Sequence, residues 1–198
     1  CAQYRARGER GRGENDSATT GDSMTYRAAI TDAMTELARD PLVSFYGYGL
    51  ARGKAMGTLS GVAVDQIVET PVAENLMMGL AIGAALTGRR PLVYFERADF
   101  LLCGADAIVN HLDKLGTMSR GEFAPGVIIR VTVGNKTKPL FTGETHTQDL
   151  SEAFKAMVAM PVYRLNHESE VADIYAEARA EQKLGISCMV FEYKDKFA

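Results

Sequence analysis

Six short apolar runs punctuate this chain, separated by stretches long enough to cross back over a sheet, and that alternation restricts the folds open to it. The runs fall at 42–46, 66–68, 92–95, 127–133, 162–165 and 187–193. Helical patterns occupy 71–87, 100–115, 150–158 and 168–183. A first amphipathic helix precedes them, with Ala29, Ile30, Ala33, Met34 and Leu37 at helical spacing until Asp40-Pro41 stops it. Strands joined by crossovers pair in parallel, and a parallel sheet needs helices on both faces. The expected fold is α/β: a single doubly wound domain with a mostly parallel six-stranded sheet. Ligands of such sheets sit beyond the carboxyl ends of the strands. Glu74, Phe100 and the loop 134–148 all follow strand ends and are expected to converge there.

With 198 residues, 46% of them apolar, the chain can fill one full core. Its net charge of −3 implies no surface for a polyanion, which argues against nucleic acid. Cys1, Cys103 and Cys188 stand far apart, with no Cys-x-x-Cys pair and no neighbouring histidines. Neither a disulfide framework nor a zinc site is indicated, and a reducing cytoplasm is the expected location. Buried small hydrophobes are the usual role of such cysteines. No apolar run reaches the roughly 20 residues of a membrane span. Residues 1–23 are rich in Arg, Gly, Ser and Asp and almost free of apolar side chains after Tyr4. They are expected to be a disordered N-terminal segment, a leader before Met24 rather than an anion-binding arm, with the folded domain at 24–198.

The most unusual stretch runs from Glu69 to Phe100. In Glu69-Thr70-Pro71-Val72-Ala73-Glu74, Thr70 is expected to cap a helix and Pro71 to open it, leaving Glu74 in the first turns where the helix dipole tolerates an anion. Leu76, Met77, Met78, Leu80, Ala81 and Ile82 then make the helix apolar on nearly every side, which predicts burial on more than one face. A carboxylate on such a helix needs a partner or a proton. Upstream, Gly47, Gly49, Gly53, Gly57 and Gly61 imitate a phosphate cradle. Leu50-Ala51-Arg52 stands where a dinucleotide fingerprint needs its third glycine, so a mobile or partner-covered loop is expected instead.

Taken in order, Glu69-Thr70-Pro71 through Glu74, Gly79-Leu80-Ala81-Ile82-Gly83 and Gly88-Arg89-Arg90-Pro91 resemble the pyrimidine-binding domain of thiamine diphosphate enzymes. The nearest branch is the β subunit of 2-oxo acid dehydrogenase decarboxylase components, in the transketolase-like superfamily. Ala98-Asp99-Phe100, Ile108-Val109-Asn110, Met118-Ser119-Arg120-Gly121 and Ile129-Arg130 follow in that family's order, and His146-Thr147-Gln148 resembles its His-Ser-Gln motif. The resemblance spans residues 25–193.

The resemblance implies a role for each candidate. Glu74 matches the glutamate that bonds the cofactor's pyrimidine and favours its imino tautomer, which needs shielding from water. The alternative is a first-turn carboxylate that only complements the dipole. Phe100 matches the aromatic that stacks on the pyrimidine, against a plain core role. Glu96-Arg97 departs from the uncharged residues usual in the family near the cofactor. Glu96 is expected beside the cofactor and Glu96 or Arg97 as a substrate contact, with a salt bridge across a subunit interface as the alternative. His146 is expected to meet the substrate carboxylate or the tetrahedral intermediate, with Gln148 nearby. His111 and His167 fall on or beside helices and suit surface or capping roles.

Departures from the family narrow the assignment. Tyr48-Gly49-Leu50 replaces acidic residues usual after the first strand. No Gly-Asp-Gly segment with downstream Asn is present to anchor magnesium and diphosphate, so the expected partner is a diphosphate-binding α-type subunit that holds Mg2+, in an α2β2 heterotetramer. No second domain is expected after Tyr193. The expected function is therefore the β-like subunit of a heteromeric thiamine diphosphate enzyme that decarboxylates a 2-oxo acid and transfers or ligates the product. The alternatives are a dehydrogenase or transketolase subunit whose last domain is supplied separately, a non-catalytic assembly subunit, and a nucleotide-binding α/β protein using the glycine loop.

Overall fold

The computed structural model describes residues 24–139 and 143–197. The expected N-terminal segment 1–23, with Cys1, and Thr142 of the His146 loop lie outside the described residues. In chain order the main elements are α1 (Tyr26–Ala38), β1 (Val43–Gly47), α2 (Leu50–Gly53), β2 (Ile67–Glu69), α3 (Glu74–Leu86), β3 (Arg90–Phe95), α4 (Leu101–Asp106), α5 (Asp113–Met118), β4 (Ile128–Val133), α6 (Ser151–Met157), β5 (Val162–Leu165), α7 (Val171–Lys183) and β6 (Cys188–Tyr193). A π-helical turn over Ala107–Leu112 joins α4 to α5.

All six strands are parallel, in the order β2-β1-β3-β4-β6-β5. The four inner strands are buried almost throughout, which is why they read as unbroken apolar runs instead of alternating ones. Successive residues still point to opposite faces. Phe45, Leu92, Tyr94, Ile128, Cys188 and Val190 pack with α1 and α7 on one side. Tyr46, Val93, Phe95, Ile129, Met189 and Phe191 pack with α3, α4, the π-helical turn and α6 on the other. The helices thus cover both faces, as expected.

One buried polar cluster crosses the first of these cores. Arg130 on β4 makes two parallel bonds of 2.8 Å to Glu192 on β6, both side chains fully enclosed. The Tyr175 hydroxyl of α7 donates to the same carboxylate at 2.5 Å, and the Tyr94 ring lies 4.9 Å from the guanidinium. Burial, reinforced by the Glu192 charge, pushes the Tyr175 phenol well above its ordinary range, so it stays a donor.

Three local expectations are corrected. The helix after β2 begins at Glu74, not at Pro71, because Ala73 departs from helical geometry and the Thr70 hydroxyl is buried without a partner. The Thr70 backbone instead extends the sheet edge, its N–H donating to Gly47. The glycine loop is packed on the chain's own core through Leu50, Ala55, Leu59 and Val62. Lys54, Ala55 and Met56 form a left-handed turn there, with φ of 48°, 47° and 60°, a conformation that costs non-glycine residues about 1–2 kcal/mol each. Finally, α3 is covered by this chain on one side only. Met77, Met78 and Ala81 are buried, whereas Leu76, Leu80 and Leu86 remain 48%, 42% and 46% exposed.

Of the cysteines, Cys188 is a buried core residue and Cys103 is exposed. No helix among the described residues is long and apolar enough to cross a membrane.

Removing one member of the enclosed ion pair strands the other without water. Glu192→Ala is expected to lower stability by about 3–5 kcal/mol, read from urea unfolding midpoints. A loss below about 1 kcal/mol would show that the cluster is not a keystone of the core.

Candidate functional site at the carboxyl edge of the sheet

The chain leaves β1 to pair β2 on one side, then crosses to place β3 on the other side of β1. This reversal is the topological switch point, where strand ends splay and leave a crevice. A cleft of ≈ 280 Å³ opens there, lined by Tyr48, Val72, Glu74, Met77, Tyr94, Phe95, Glu96, Phe100 and His146. Its walls come from segments that follow four different strand ends. Tyr48 follows β1, Val72 and Glu74 follow β2, Glu96 and Phe100 follow β3, and His146 stands in the long connection after β4.

Glu74 is the first residue of α3 and half-buried. Among the described residues nothing hydrogen-bonds its carboxylate, so it faces the cleft with its acceptors free. Gly104 of α4 lies against its backbone, where an added Cβ would sit 3.4 Å from the Glu74 carbonyl and 3.5 Å from the Phe95 ring. This close approach of α4 to α3 fixes the floor of the cleft. Phe100 and His146 meet edge to face, ring centroids 5.2 Å apart at 87°. The His146 Nδ1 is 3.1 Å from the Thr145 hydroxyl.

Four of the sequence candidates are therefore brought together: Glu74, Glu96, Phe100 and His146. Two are not. Arg97 is 3% exposed and lines no part of the cleft. Its guanidinium donates to the Glu96 carbonyl at 2.5 Å and lies 3.5 Å from the Glu96 carboxylate. Neighbours along the chain diverge here, with Glu96 at the mouth and Arg97 packed behind it. Gln148 also lies outside the cleft, bonded to Asp99.

Sequence reasoning missed Tyr48 and the role of Glu69. The Glu69 carboxylate accepts from the N–H groups of Gly49 at 2.7 Å and Ala51 at 2.6 Å, pinning the start of α2 and with it the Tyr48 segment. A glutamate ending a strand beside a glycine-rich loop with unpaired N–H groups was the available signal. A larger cavity of ≈ 500 Å³ lies between α1 and α7, but it contains none of the candidate residues and no convergent chemistry.

This geometry defines an α/β domain with a cleft at the switch point of a parallel sheet. Residues 22–194 match the family described as transketolase, pyrimidine binding domain, and the chain belongs to that family. The mitochondrial pyruvate dehydrogenase E1 component subunit beta of Saccharomyces cerevisiae is 32% identical over 146 residues, covering 71% of this chain and 39% of that protein. The chloroplastic subunit beta-2 of Arabidopsis thaliana is 31% identical over 147 residues, covering 71% of this chain and 36% of that one. The chain thus spans less than half the length of these relatives. A solved split-gene transketolase, in an inactive β4 tetramer, shares the fold with a TM-score of 0.67 at 16% identity, over 86% of this chain and 52% of that one.

The Glu69 clamp makes a local prediction. In Glu69→Ala, amide hydrogen exchange at Gly49 and Ala51 is expected to accelerate while the strands β3 and β4 keep their protection. Unchanged exchange at both amides would show that the carboxylate does not hold this segment.

Proposed function

We propose that this chain is the pyrimidine-binding, β-type subunit of a heteromeric thiamine diphosphate-dependent enzyme that decarboxylates a 2-oxo acid and transfers or ligates the resulting acyl or aldehyde unit. The observation that carries this reading is the free Glu74 carboxylate in one cleft with the Phe100–His146 ring pair. The family membership and the pyruvate dehydrogenase β relatives support the class of chemistry.

The cleft suits one end of such a cofactor. Phe100, Met77 and Val72 offer apolar contact to a flat heterocycle, and Glu74 offers an acceptor or, when protonated, a donor to a ring nitrogen. Bound thiamine diphosphate supplies an electron sink for decarboxylation. The chain's own residues would do the rest: Glu74 holds or moves a proton at the ring nitrogen, Phe100 orients the ring, and His146 presents a donor to the substrate's carboxylate. Glu96, at the mouth, would stand beside the cofactor.

Two features support a site completed by another chain. The cleft, at ≈ 280 Å³, stands at the low end of ligand sites, which run to roughly 1,000 Å³. Its lining carries two carboxylates and neither Lys nor Arg, a field that repels a diphosphate. The diphosphate and its Mg2+ would be held by an α-type subunit in an α2β2 assembly. The exposed apolar side of α3, with Leu76 and Leu80 beside Gly79 and Gly83, offers that partner a close-packing surface. Similarity to the pyruvate dehydrogenase relatives supports a second reading, in which the acyl unit passes to a lipoyl acyltransferase.

Glu74→Gln keeps the size of the side chain but removes its acid. With the partner subunit it is expected to lower thiamine-dependent decarboxylation of pyruvate and branched 2-oxo acids by about 10²- to 10⁴-fold. Wild-type rates in that variant would overturn the assignment. Leu80→Glu is expected to leave the isolated chain folded by circular dichroism and to abolish assembly in analytical ultracentrifugation; normal assembly would remove α3 from the interface.

A further inference from the structure

Among the described residues, Asp99 is a buried carboxylate near the cleft that the proposed chemistry does not use. It sits in the single helical turn between β3 and α4, one residue before Phe100, and is 8% exposed. Its Oδ1 accepts from the Gln148 side-chain amide at 2.8 Å and from the Gln148 backbone N–H at 3.3 Å. Its Oδ2 is buried with no partner. A carboxylate enclosed with one oxygen unsatisfied is a poor way to stabilise a fold, since the stranded oxygen has given up its water.

Both donors belong to the segment that carries His146, two residues earlier. The carboxylate therefore ties the end of the β4 connection to the turn that presents Phe100, and this is the pair whose rings meet at 5.2 Å. A second constraint acts from below. Gly134, which follows β4, lies so close to this segment that a Cβ there would overlap the His146 carbonyl. The connection is pressed onto Gly134 on one side and anchored to Asp99 on the other. Among the described residues, the His146 ring has a hydrogen bond only to its neighbour Thr145. Its place over the cleft depends on these two supports.

We propose that Asp99 is a positioning residue, which holds His146 against Phe100 at the mouth of the cleft through Gln148. Gln148 is then the donating half of this tie and not a substrate contact. The geometric part stands on this chain alone; its consequence for turnover rests on the function proposed above.

The geometric part is tested by NMR of the full chain with labelled histidine rings. The chain has three histidines, and the His146 signal is identified by its loss in His146→Gln. Phe100→Leu and Asp99→Ala are both expected to move that signal, because each removes the edge-to-face contact. Asp99→Asn is expected to leave it in place, since the amide oxygen still accepts from Gln148. The His111 and His167 signals should stay fixed and report an intact fold. Should Asp99→Ala not fold, Gln148→Ala, at an exposed position, removes the same side-chain bond and is expected to move the His146 signal too. A stationary His146 signal in the folded Asp99→Ala or Gln148→Ala chain overturns the proposal.

In the complex with the partner subunit, Asp99→Ala is expected to lower kcat by about 10- to 100-fold, the scale of a misplacement of about 1 Å. It should have no further effect in a His146→Ala background, whereas an equal further loss there would show that Asp99 does not act through His146. Absence of thiamine-dependent turnover in the wild-type complex would sink the proposed function and leave the NMR result to decide the positioning role.

Discussion

Parallel pairing of all six strands is the constraint on which the rest depends. It forces every strand to run the same way, so every connection that leaves a strand does so at one edge of the sheet. The order β2-β1-β3 then puts the chain reversal at β1. Segments that follow β1, β2, β3 and β4 meet at that edge although they are about 100 residues apart from end to end, Tyr48 to His146. No single segment of the sequence builds the cleft. The site is a product of topology first and of side chains second.

The same architecture leaves one face of α3 apolar and exposed. An α3 helix buried against the sheet through Met77, Met78 and Ala81 would ordinarily carry polar residues on its outer face. Here Leu76 and Leu80 face outward, and the cleft that begins at the helix's first residue is small, acidic and free of Lys and Arg. Both properties suit a domain that contributes half of a ligand site and buries its outer helix face against the contributor of the other half. The enclosed Arg130–Glu192 pair lies on the opposite face of the sheet, among residues packed with α1 and α7. Its role is in the core, and it touches the cleft lining only through Tyr94.

The strands were legible because central strands of a parallel sheet are buried on both faces, which writes them as short unbroken apolar runs. Observed boundaries fall within one or two residues of those runs. Glu74, Phe100 and His146 were legible through motif order and Glu96 as a charge at the end of an apolar strand, and the fold does gather them. What escaped was decided by tertiary contacts. Thr70 and Pro71 have the composition of a helix start, but pairing of the Thr70 N–H with Gly47 keeps them extended. The glycines of 47–61 concealed Leu50 and Leu59, which anchor the loop to the core. Arg97 reads as a free cation, yet backbone geometry turns it behind Glu96. The bond from Gln148 to Asp99 joins residues 49 positions apart, and no local pattern announces it. The all-round apolar pattern of α3 signalled burial correctly only for the face that meets this chain's own sheet.

The central claim is that the cleft is half of a cofactor site. Isothermal titration calorimetry with thiamine diphosphate and Mg2+ tests it directly, using this chain alone, the candidate α-type subunit alone, and the two mixed. The account predicts heat of binding in the mixture, with at most weak binding to either chain by itself. Tight binding to this chain alone, or none in an assembled mixture, would contradict it.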